Sequence, residues 1–360
     1  MISNEAKAGG REGAVTALKA LYESYGYSHY KMSKFEEYEL YVRNKSFLVS
    51  DHVITFTDVG GSLMALKPDV TLSIVKNSPE REDGVRRVYY NENVYRVPKG
   101  ALSFKEIMQA GLECIGDIDA YAVAEVLTLA KKSLEAISPD YVIDVSNMGI
   151  LSALIDEIGL SAKGKEALIT SIGEKNIHGI DAVCASEGKS ADRIKRLVSM
   201  KGGAEEMLEI LSDSQVYSEA LEMAEIISAV GGRVRFDFSV IDDMNYYSGI
   251  VFKGFIKGIP TDVLTGGRYD NLMKKMGKKS GAIGFAVYID LLGELSGNAP
   301  EYDGDVLVLY DKNTEITNLI ALTNELTASG KSVSARKSIP EKLKYRETVD
   351  LRGGKIIWKC

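Results

Sequence analysis

Carboxylate, amide and phenol side chains occur in this 360-residue sequence with spacings that suit ligand binding. Gln109 and Glu113 are four residues apart in a segment that is typical of a strand, so both point to one face of a sheet. Tyr246 and Tyr247 are adjacent phenols, which offer hydroxyl groups and apolar ring faces. The pattern indicates a pocket for a small polar molecule on a sheet. An ordinary sheet with a polar solvent face explains it equally well.

Two further short patterns have both a structural and a ligand-binding interpretation. Asp69 and Thr71 lie where a helix is predicted to begin after a proline. An Asp-x-Thr sequence at such a place is typical of a helix cap, although the carboxylate could also bind a cation. Gly266-Gly267 lets a backbone approach a ligand or another chain closely, because glycine has no Cβ atom.

The composition is that of an ordinary globular protein, with 45% hydrophobic residues and a net charge of −7. This charge argues against a large nucleic-acid-binding surface. The three cysteines and three histidines are scattered, without the spacing of a disulfide framework or a zinc site, so neither a metal nor a cofactor is expected. Because neither a membrane-spanning segment nor a signal peptide is recognisable, a cytoplasmic protein is expected.

Hydrophobic periodicity indicates which elements position these side chains. It predicts a helix over residues 10–25 and two long strands between Arg86 and Gly116. Residues 147–230 are rich in Ala, Leu, Glu, Lys and Ser with helical spacing, which predicts roughly four to six short helices. After a linker with glycine and proline, residues 303–360 predict a small α/β unit.

An ordered set of motifs adds a family resemblance. YYSGIVF, GGRYD and GFAVYID resemble the histidine-pocket loop and third signature motif of class II histidyl-tRNA synthetases, and resemble more closely those of the paralogous ATP phosphoribosyltransferase regulatory subunits. The resemblance continues upstream through FTDVGGSLMALKPDVTLSIVKN and RRVYYNENVYRVPKGALSFKEIMQAGLECIGDIDAYAVAEVLTLA. It implies an α+β fold, in which residues 1–296 form a class II synthetase-like antiparallel sheet flanked by helices. In that fold residues 147–230 are a helical insertion, and residues 303–360 are a truncated C-terminal domain.

The resemblance also implies roles for the polar residues. In the family, the acid at Asp69 pairs with the α-ammonium of an amino acid, and the residues at Gln109 and Glu113 hold that amino acid. Arg96 matches the arginine that clamps the α-phosphate of ATP by charge-assisted hydrogen bonds. The expected histidine-pocket residues are Asp69, Thr71, Arg96, Gln109, Glu113, Tyr246, Tyr247, Gly266 and Gly267.

Two arginines that synthetases use in catalysis are absent from the matching positions. Leu291 stands where the third motif has the arginine for the ATP γ-phosphate, and Asp242 where histidyl-tRNA synthetases have another catalytic arginine. Adenylate formation places negative charge on phosphorus, which preplaced cations stabilise. No catalytic residue is therefore expected. Asn245, where the family has an aspartate, leaves the specificity of binding open.

The resemblance implies a regulatory subunit that partners the short form of the ATP phosphoribosyltransferase catalytic subunit in histidine biosynthesis, with histidine as an effector. A homodimer through the N-terminal helix and strand is expected, although Ser33 replaces the usual proline. Neither tRNA nor a membrane is expected as a partner. The alternatives are a divergent histidyl-tRNA synthetase, against which the lost arginines argue, and a synthetase paralogue with another binding role.

Overall fold

Two long neighbouring strands carry side chains on both faces of the main sheet. In the computed structural model, Arg86–Arg96 and Lys105–Gly116 pair antiparallel. Their side chains alternate between the two faces of the sheet, as the strand period of two requires. Tyr89 and Leu112 lie in one buried apolar cluster, whereas Tyr90 lies in another. The sheet is therefore packed on both faces.

The chain divides into two compact units, Met1–Leu295 and Ser296–Cys360. The structure describes residues 11–45, 48, 52–79, 84–97, 102–201, 203–241, 246–294, 302–352 and 357–359. Within these ranges, no helix is long and apolar enough to cross a membrane. Asp242 and Asn245, whose identities bear on catalysis and specificity, lie outside the described residues.

The first unit mixes strands and helices along the chain. Its described strands are β1 (Ser28–His29), β2 (Phe35–Glu37), β3 (Thr55–Thr57), β4 (Leu63–Leu66), β5 (Arg86–Arg96), β6 (Lys105–Gly116), β7 (Tyr141–Asn147), β8 (Val234–Phe236), β9 (Ile250–Ile256), β10 (Leu264–Arg268) and β11 (Gly281–Tyr288). Its described helices are α1 (Arg11–Ser24), α2 (Tyr38–Arg43), α3 (Thr71–Lys76), α4 (Ala120–Ile137), α5 (Met148–Ile158), α6 (Ala162–Gly173), α7 (Ile177–Ser186), α8 (Asp192–Ser199), α9 (Ala204–Ile210), α10 (Tyr217–Val230) and α11 (Asp270–Lys275). A 3-10 helix, Ile289–Glu294, follows β11. The predicted N-terminal helix, the long strand pair and the run of short helices are confirmed.

The main sheet has the strand order β1-β5-β6-β11-β10-β9-β7-β8 among the described residues. Only its outer pairs, β1 with β5 and β7 with β8, run parallel, and the central pairs are antiparallel. A smaller antiparallel sheet has the order β2-β4-β3. The register of β6 with β11 places Glu113 opposite Gly284 in the middle of the main sheet.

One face of the main sheet is covered by helices. Helix α4 is capped by Asp119, whose Oδ1 atom accepts a hydrogen bond of 2.8 Å from the backbone amide of Ala122. Its apolar residues Leu127, Leu129 and Leu134 are fully buried in the larger apolar cluster. Burial of one such side chain contributes about 1.5–3 kcal/mol. This face supplies the stable support on which the other face is built.

The opposite face carries the smaller apolar cluster. Helix α3 contributes Leu72 and Ile74, both fully buried, and Tyr269 and Leu272 contribute from the segment after β10. These residues surround polar side chains that project from β6 on the same face. The candidate site of this unit is therefore enclosed by a local apolar shell.

The second unit, described by itself, has a four-stranded sheet. Its elements are β12 (Gly304–Leu309), α12 (Ile316–Ala328), β13 (Val333–Arg336), β14 (Tyr345–Asp350) and β15 (Ile357–Lys359). The strand order is β13-β12-β14-β15, with β12 parallel to both neighbours and β15 antiparallel to β14. Val306 and Val308 of the central strand pack against Leu322 and Leu326 of the helix. This is an α/β unit, as the residue pattern over 303–360 predicts.

Gly284 should tolerate no side chain, because a Cβ atom there would lie 1.8 Å from Oε2 of Glu113 and 2.4 Å from the backbone oxygen of Leu112. We expect Gly284→Ala to lower the free energy of unfolding by about 1–3 kcal/mol or more. Gly173 in α6 is the matched control, since a Cβ atom there would meet nothing within 4 Å. Urea denaturation of both variants measures the difference. Equal stability of Gly284→Ala and wild type would contradict this packing.

Candidate functional site

Glu113 is the buried centre of the polar face. Its side chain projects from β6, and the residue is only 2% exposed. The hydroxyl of Thr71 lies 2.7 Å from Oε1, and the hydroxyl of Tyr269 donates to Oε2 at 2.6 Å. A carboxylate has about four acceptor positions, so two hydroxyl donors fix its orientation and leave acceptor capacity for a ligand.

Asp69 lies beside Glu113 and has two roles. Its Oδ1 atom accepts a hydrogen bond of 2.8 Å from the backbone amide of Leu72, so the helix-cap interpretation holds. Its charge also acts on Glu113, because it contributes to the raised pKa of that carboxyl group. Burial raises the pKa of Asp69 itself, while hydrogen bonds from the start of α3 and the guanidinium of Arg96 oppose that rise. The ionisation of Glu113 is therefore coupled to the charge of Asp69.

Three tyrosines form an aromatic wall over these carboxyl groups. The ring of Tyr246 lies with its centroid 4.6 Å from that of Tyr247 and 5.7 Å from that of Tyr269. Burial, and then the charges of neighbouring groups, raise the pKa values of Tyr246 and Tyr269 well above the usual value for tyrosine. These phenols are therefore neutral at physiological pH and keep their O–H donors.

The double glycine serves the packing of the sheet itself. A Cβ atom at Gly267 would lie 2.7 Å from the ring of Tyr247, so the absence of a side chain lets this ring rest on β10. At Gly266 the close neighbours are the side chains of Phe252 and Phe285 and a backbone oxygen of β11. The expected close approach is thus made by the protein's own atoms, and Gly267 contributes to the site by positioning Tyr247.

Arg96 and Gln109 line the same face farther along the long strands. Both are buried, at 6% and 5% exposure, and the guanidinium carbon of Arg96 lies 5.9 Å from the centroid of the Tyr288 ring. Gln109 is opposite Tyr288 on β11 and opposite Glu92 on β5. A strip of polar and aromatic side chains therefore extends from Glu113 toward Arg96.

A buried ion pair holds the chain that leads into Asp69. The Nζ atom of Lys67 lies 2.5 Å from Oε2 of Glu92, and the side chain of Lys67 is fully buried. Neither Lys67 nor Tyr269 was among the expected site residues. Tyr269 belongs to the GGRYD motif, so the resemblance contained a signal for it. No local pattern marks Lys67, because its partner lies 25 residues away on another strand.

The end of β11 has a structural role in this protein. Asp290 accepts a hydrogen bond of 2.7 Å from the backbone amide of Met108 and forms an ion pair of 3.2 Å with Arg11. Leu291 is partly buried and packs against the larger apolar cluster. In the described part of the chain, no group of three or more His, Cys, Asp and Glu side chains is placed to hold a metal ion.

Comparison with known proteins identifies the family that this chain resembles. The family described as histidyl-tRNA synthetase matches residues 3–292. The ATP phosphoribosyltransferase regulatory subunit of Clostridium kluyveri is 31% identical over 82% of this chain and 81% of its own length. The histidine–tRNA ligase of Methanococcus vannielii is 29% identical over 82% of this chain and 74% of its own length.

Solved structures of similar proteins share the fold of this chain. The Bacillus halodurans structure described as an ATP phosphoribosyltransferase regulatory subunit/histidyl-tRNA synthetase has a TM-score of 0.79 at 24% identity, and covers 95% of this chain and 94% of that chain. A chain of the ATP phosphoribosyl transferase (HisG:HisZ) complex from Thermotoga maritima has a TM-score of 0.62 at 17% identity, over 80% of this chain and 98% of that chain. The fold and the pocket together define a class II synthetase-like protein, which confirms the predicted α+β fold. The chain belongs to the histidyl-tRNA synthetase family, and within it to the ATP phosphoribosyltransferase regulatory subunits.

Loss of the buried cation beneath the site should be costly. Lys67→Met leaves the carboxylate of Glu92 without its partner, and we expect the free energy of unfolding to fall by about 3–5 kcal/mol. Lys165→Met removes an exposed pair with Asp156 and serves as the control, with a change within about 0.5 kcal/mol. Urea denaturation compares the two variants. A similar small effect for both would show that the Lys67–Glu92 pair is dispensable.

Proposed function

We propose that this chain is a non-catalytic subunit that binds histidine in the pocket around Glu113 and transmits its presence to an ATP phosphoribosyltransferase catalytic subunit. The observation that carries this proposal is a buried group of carboxyl and tyrosine side chains in a chain that has Leu291 and Asp242 where the resemblance places arginines. The carboxyl groups of Asp69 and Glu113 and the tyrosine wall lie together on one face of the sheet. Leu291 packs into the apolar core at the position where a synthetase has an arginine.

The charge balance of the site argues against adenylate formation. A reaction at the α-phosphate of ATP needs cations that stabilise the developing negative charge. Arg96 is one such cation, and its guanidinium also acts on the carboxyl group of Asp69. Leu291 and Asp242 stand where the resemblance places two further arginines, so neither position supplies a cation. An acid in place of an arginine, as at Asp242, repels a triphosphate.

The same groups suit free histidine. Its α-ammonium can donate charge-assisted hydrogen bonds to Asp69 and Glu113, and the amide of Gln109 can accept or donate. The ring faces and hydroxyls of Tyr246 and Tyr247 suit the imidazole, which has an apolar plane and polar edges. Each chemical group of histidine thus has a candidate partner in the pocket.

The partner proposal is supported by the names of the relatives. The Clostridium kluyveri relative is called a regulatory subunit, and the Thermotoga maritima neighbour comes from a complex of two kinds of chain. We propose the short form of the catalytic subunit as the partner of this chain, and a homodimer of this chain as the regulatory component. A divergent histidyl-tRNA synthetase is the competing function, and the following measurement separates the two.

The purified chain is expected to show no histidine-dependent exchange between ATP and pyrophosphate, because Leu291 and Asp242 replace two arginines that synthetases use in this reaction. The assay needs an authentic histidyl-tRNA synthetase as a positive control. Exchange above the buffer blank that is reproduced with independent preparations would contradict the non-catalytic proposal and favour the synthetase.

Glu113→Gln is expected to weaken histidine binding at least about tenfold, because an ammonium loses one of its anionic partners. Glutamine is preferred to alanine here, since it leaves an acceptor for the hydroxyls of Thr71 and Tyr269. Glu106→Ala, which removes an exposed carboxylate from the same strand, is the matched control. Isothermal titration calorimetry with and without the catalytic subunit measures the affinity. If wild type gives no heat with millimolar histidine in either state, histidine is not the ligand.

A further inference from the structure

The carboxyl groups of the pocket differ in whether a cation accompanies them. Glu92 has the ammonium of Lys67 at 2.5 Å, and at Asp69 the guanidinium of Arg96 partly opposes the rise in pKa that burial causes. Glu113 is the most buried of the three, and the groups that contact its oxygens are the hydroxyls of Thr71 and Tyr269. In the described part of the chain, no ion pair is found for Glu113. A negative charge on Glu113 would therefore be paired with no cation among the described residues.

Titratable groups face Glu113 from several neighbouring elements, and the charge of Asp69 makes its ionisation less favourable. The loop before α3 brings the carboxyl group of Asp69, and β5 brings the phenol of Tyr90. The segments around Tyr246 and Tyr269 bring two more phenols, whose raised pKa values keep them uncharged. Burial first, and then the charge of Asp69, raise the pKa of Glu113 to about 8, although its two hydroxyl partners oppose the rise.

We propose that Glu113 carries a proton in the empty pocket at neutral pH and releases it to solvent when a cationic nitrogen of the ligand binds. The proposal rests on the proposed function, since histidine supplies that nitrogen. The O–H bond of the Glu113 carboxyl group breaks, the proton passes to the buffer, and an N–H⁺ group of the ligand forms a hydrogen bond to the resulting carboxylate. The hydroxyl of Thr71 can accept a hydrogen bond from the protonated acid and donate one to the carboxylate, because hydroxyl hydrogens rotate.

The sign of the resulting pH dependence follows from linkage. Because binding releases a proton, a higher pH favours the bound state until Glu113 is ionised in the empty protein as well. With an acid that titrates at about pH 8, affinity for histidine should rise about fivefold between pH 7 and pH 8 and then level off. The imidazole of histidine is mostly neutral in this range, so it contributes little to the change. The pocket is therefore expected to bind the ammonium group of histidine more tightly as the pH rises.

Calorimetry in two buffers measures the proton directly. Histidine is titrated into the wild-type protein at pH 7.5 in HEPES and in Tris, which take up a proton with different enthalpies. The difference in observed enthalpy should correspond to a release of about 0.7–0.8 proton per histidine. Titrations at pH 7 and pH 8 test the rise in affinity.

Infrared spectroscopy tests the empty pocket without any ligand. The carbonyl stretch of a protonated carboxylic acid should be present in wild type at pH 7 and absent from Glu113→Gln. Glu125→Gln is the control, because Glu125 is also buried but is paired with Arg87 at 2.8 Å, so its removal should leave the band in place. Addition of histidine should remove the band from wild type.

The outcomes separate this proposal from the proposed function. Absence of the acid band from wild type, or a binding enthalpy that is equal in both buffers, overturns proton release while histidine binding stands. Absence of heat with histidine in both buffers refutes the proposed function together with the coupled release.

Discussion

The site depends on one buried carboxyl group that projects from the main sheet and has no ion pair among the described residues. Glu113 is 2% exposed and is fixed by hydroxyls from two segments distant in sequence. Burial of a carboxylate without a charged partner is unfavourable, so this arrangement opposes folding unless a proton or a ligand compensates it. The strand register makes it sterically possible, because Gly284 opposite Glu113 leaves space that any side chain would fill. Glu113 and Gly284 therefore matter both for the proposed site and for the packing of the sheet.

The two faces of the main sheet explain how the protein tolerates such a group. The helical face buries the larger apolar cluster, in which α4 contributes several fully buried leucines. The stability gained there does not depend on the polar face, which is enclosed by the smaller cluster around α3 and Tyr269. Because β6 points alternate side chains to the two faces of the sheet, it contributes residues to both apolar clusters. The pocket can therefore hold polar groups whose ionisation is unfavourable while the scaffold stays folded.

The segment after β11 is held by contacts within the first unit. At this place Asp290 binds the backbone of Met108 and the side chain of Arg11, and Leu291 joins the apolar core. Side chains that could have faced a triphosphate are used to stabilise the unit. The polar pocket around Glu113 lies closer to the middle of the sheet.

The sequence by itself determined the elements and the family, because both depend on local patterns. Strand alternation placed Gln109 and Glu113 on one face, helical periodicity marked α1 and the run from α5 to α10, and ordered motifs identified the family. Proline and the Asp-x-Thr sequence correctly indicated the start of α3, where Asp69 accepts a hydrogen bond from the backbone amide of Leu72.

Only the tertiary structure decided which groups touch. Tyr269 donates to a carboxylate 156 residues earlier in the chain, and Lys67 pairs with Glu92 across the sheet. The structure also showed that Gly267 accommodates a tyrosine ring, where the sequence allowed a ligand or another chain. Local periodicity reports which face a side chain occupies, but not what lies across from it. Partners, burial and the resulting shift in the pKa of Glu113 arise when distant segments pack together.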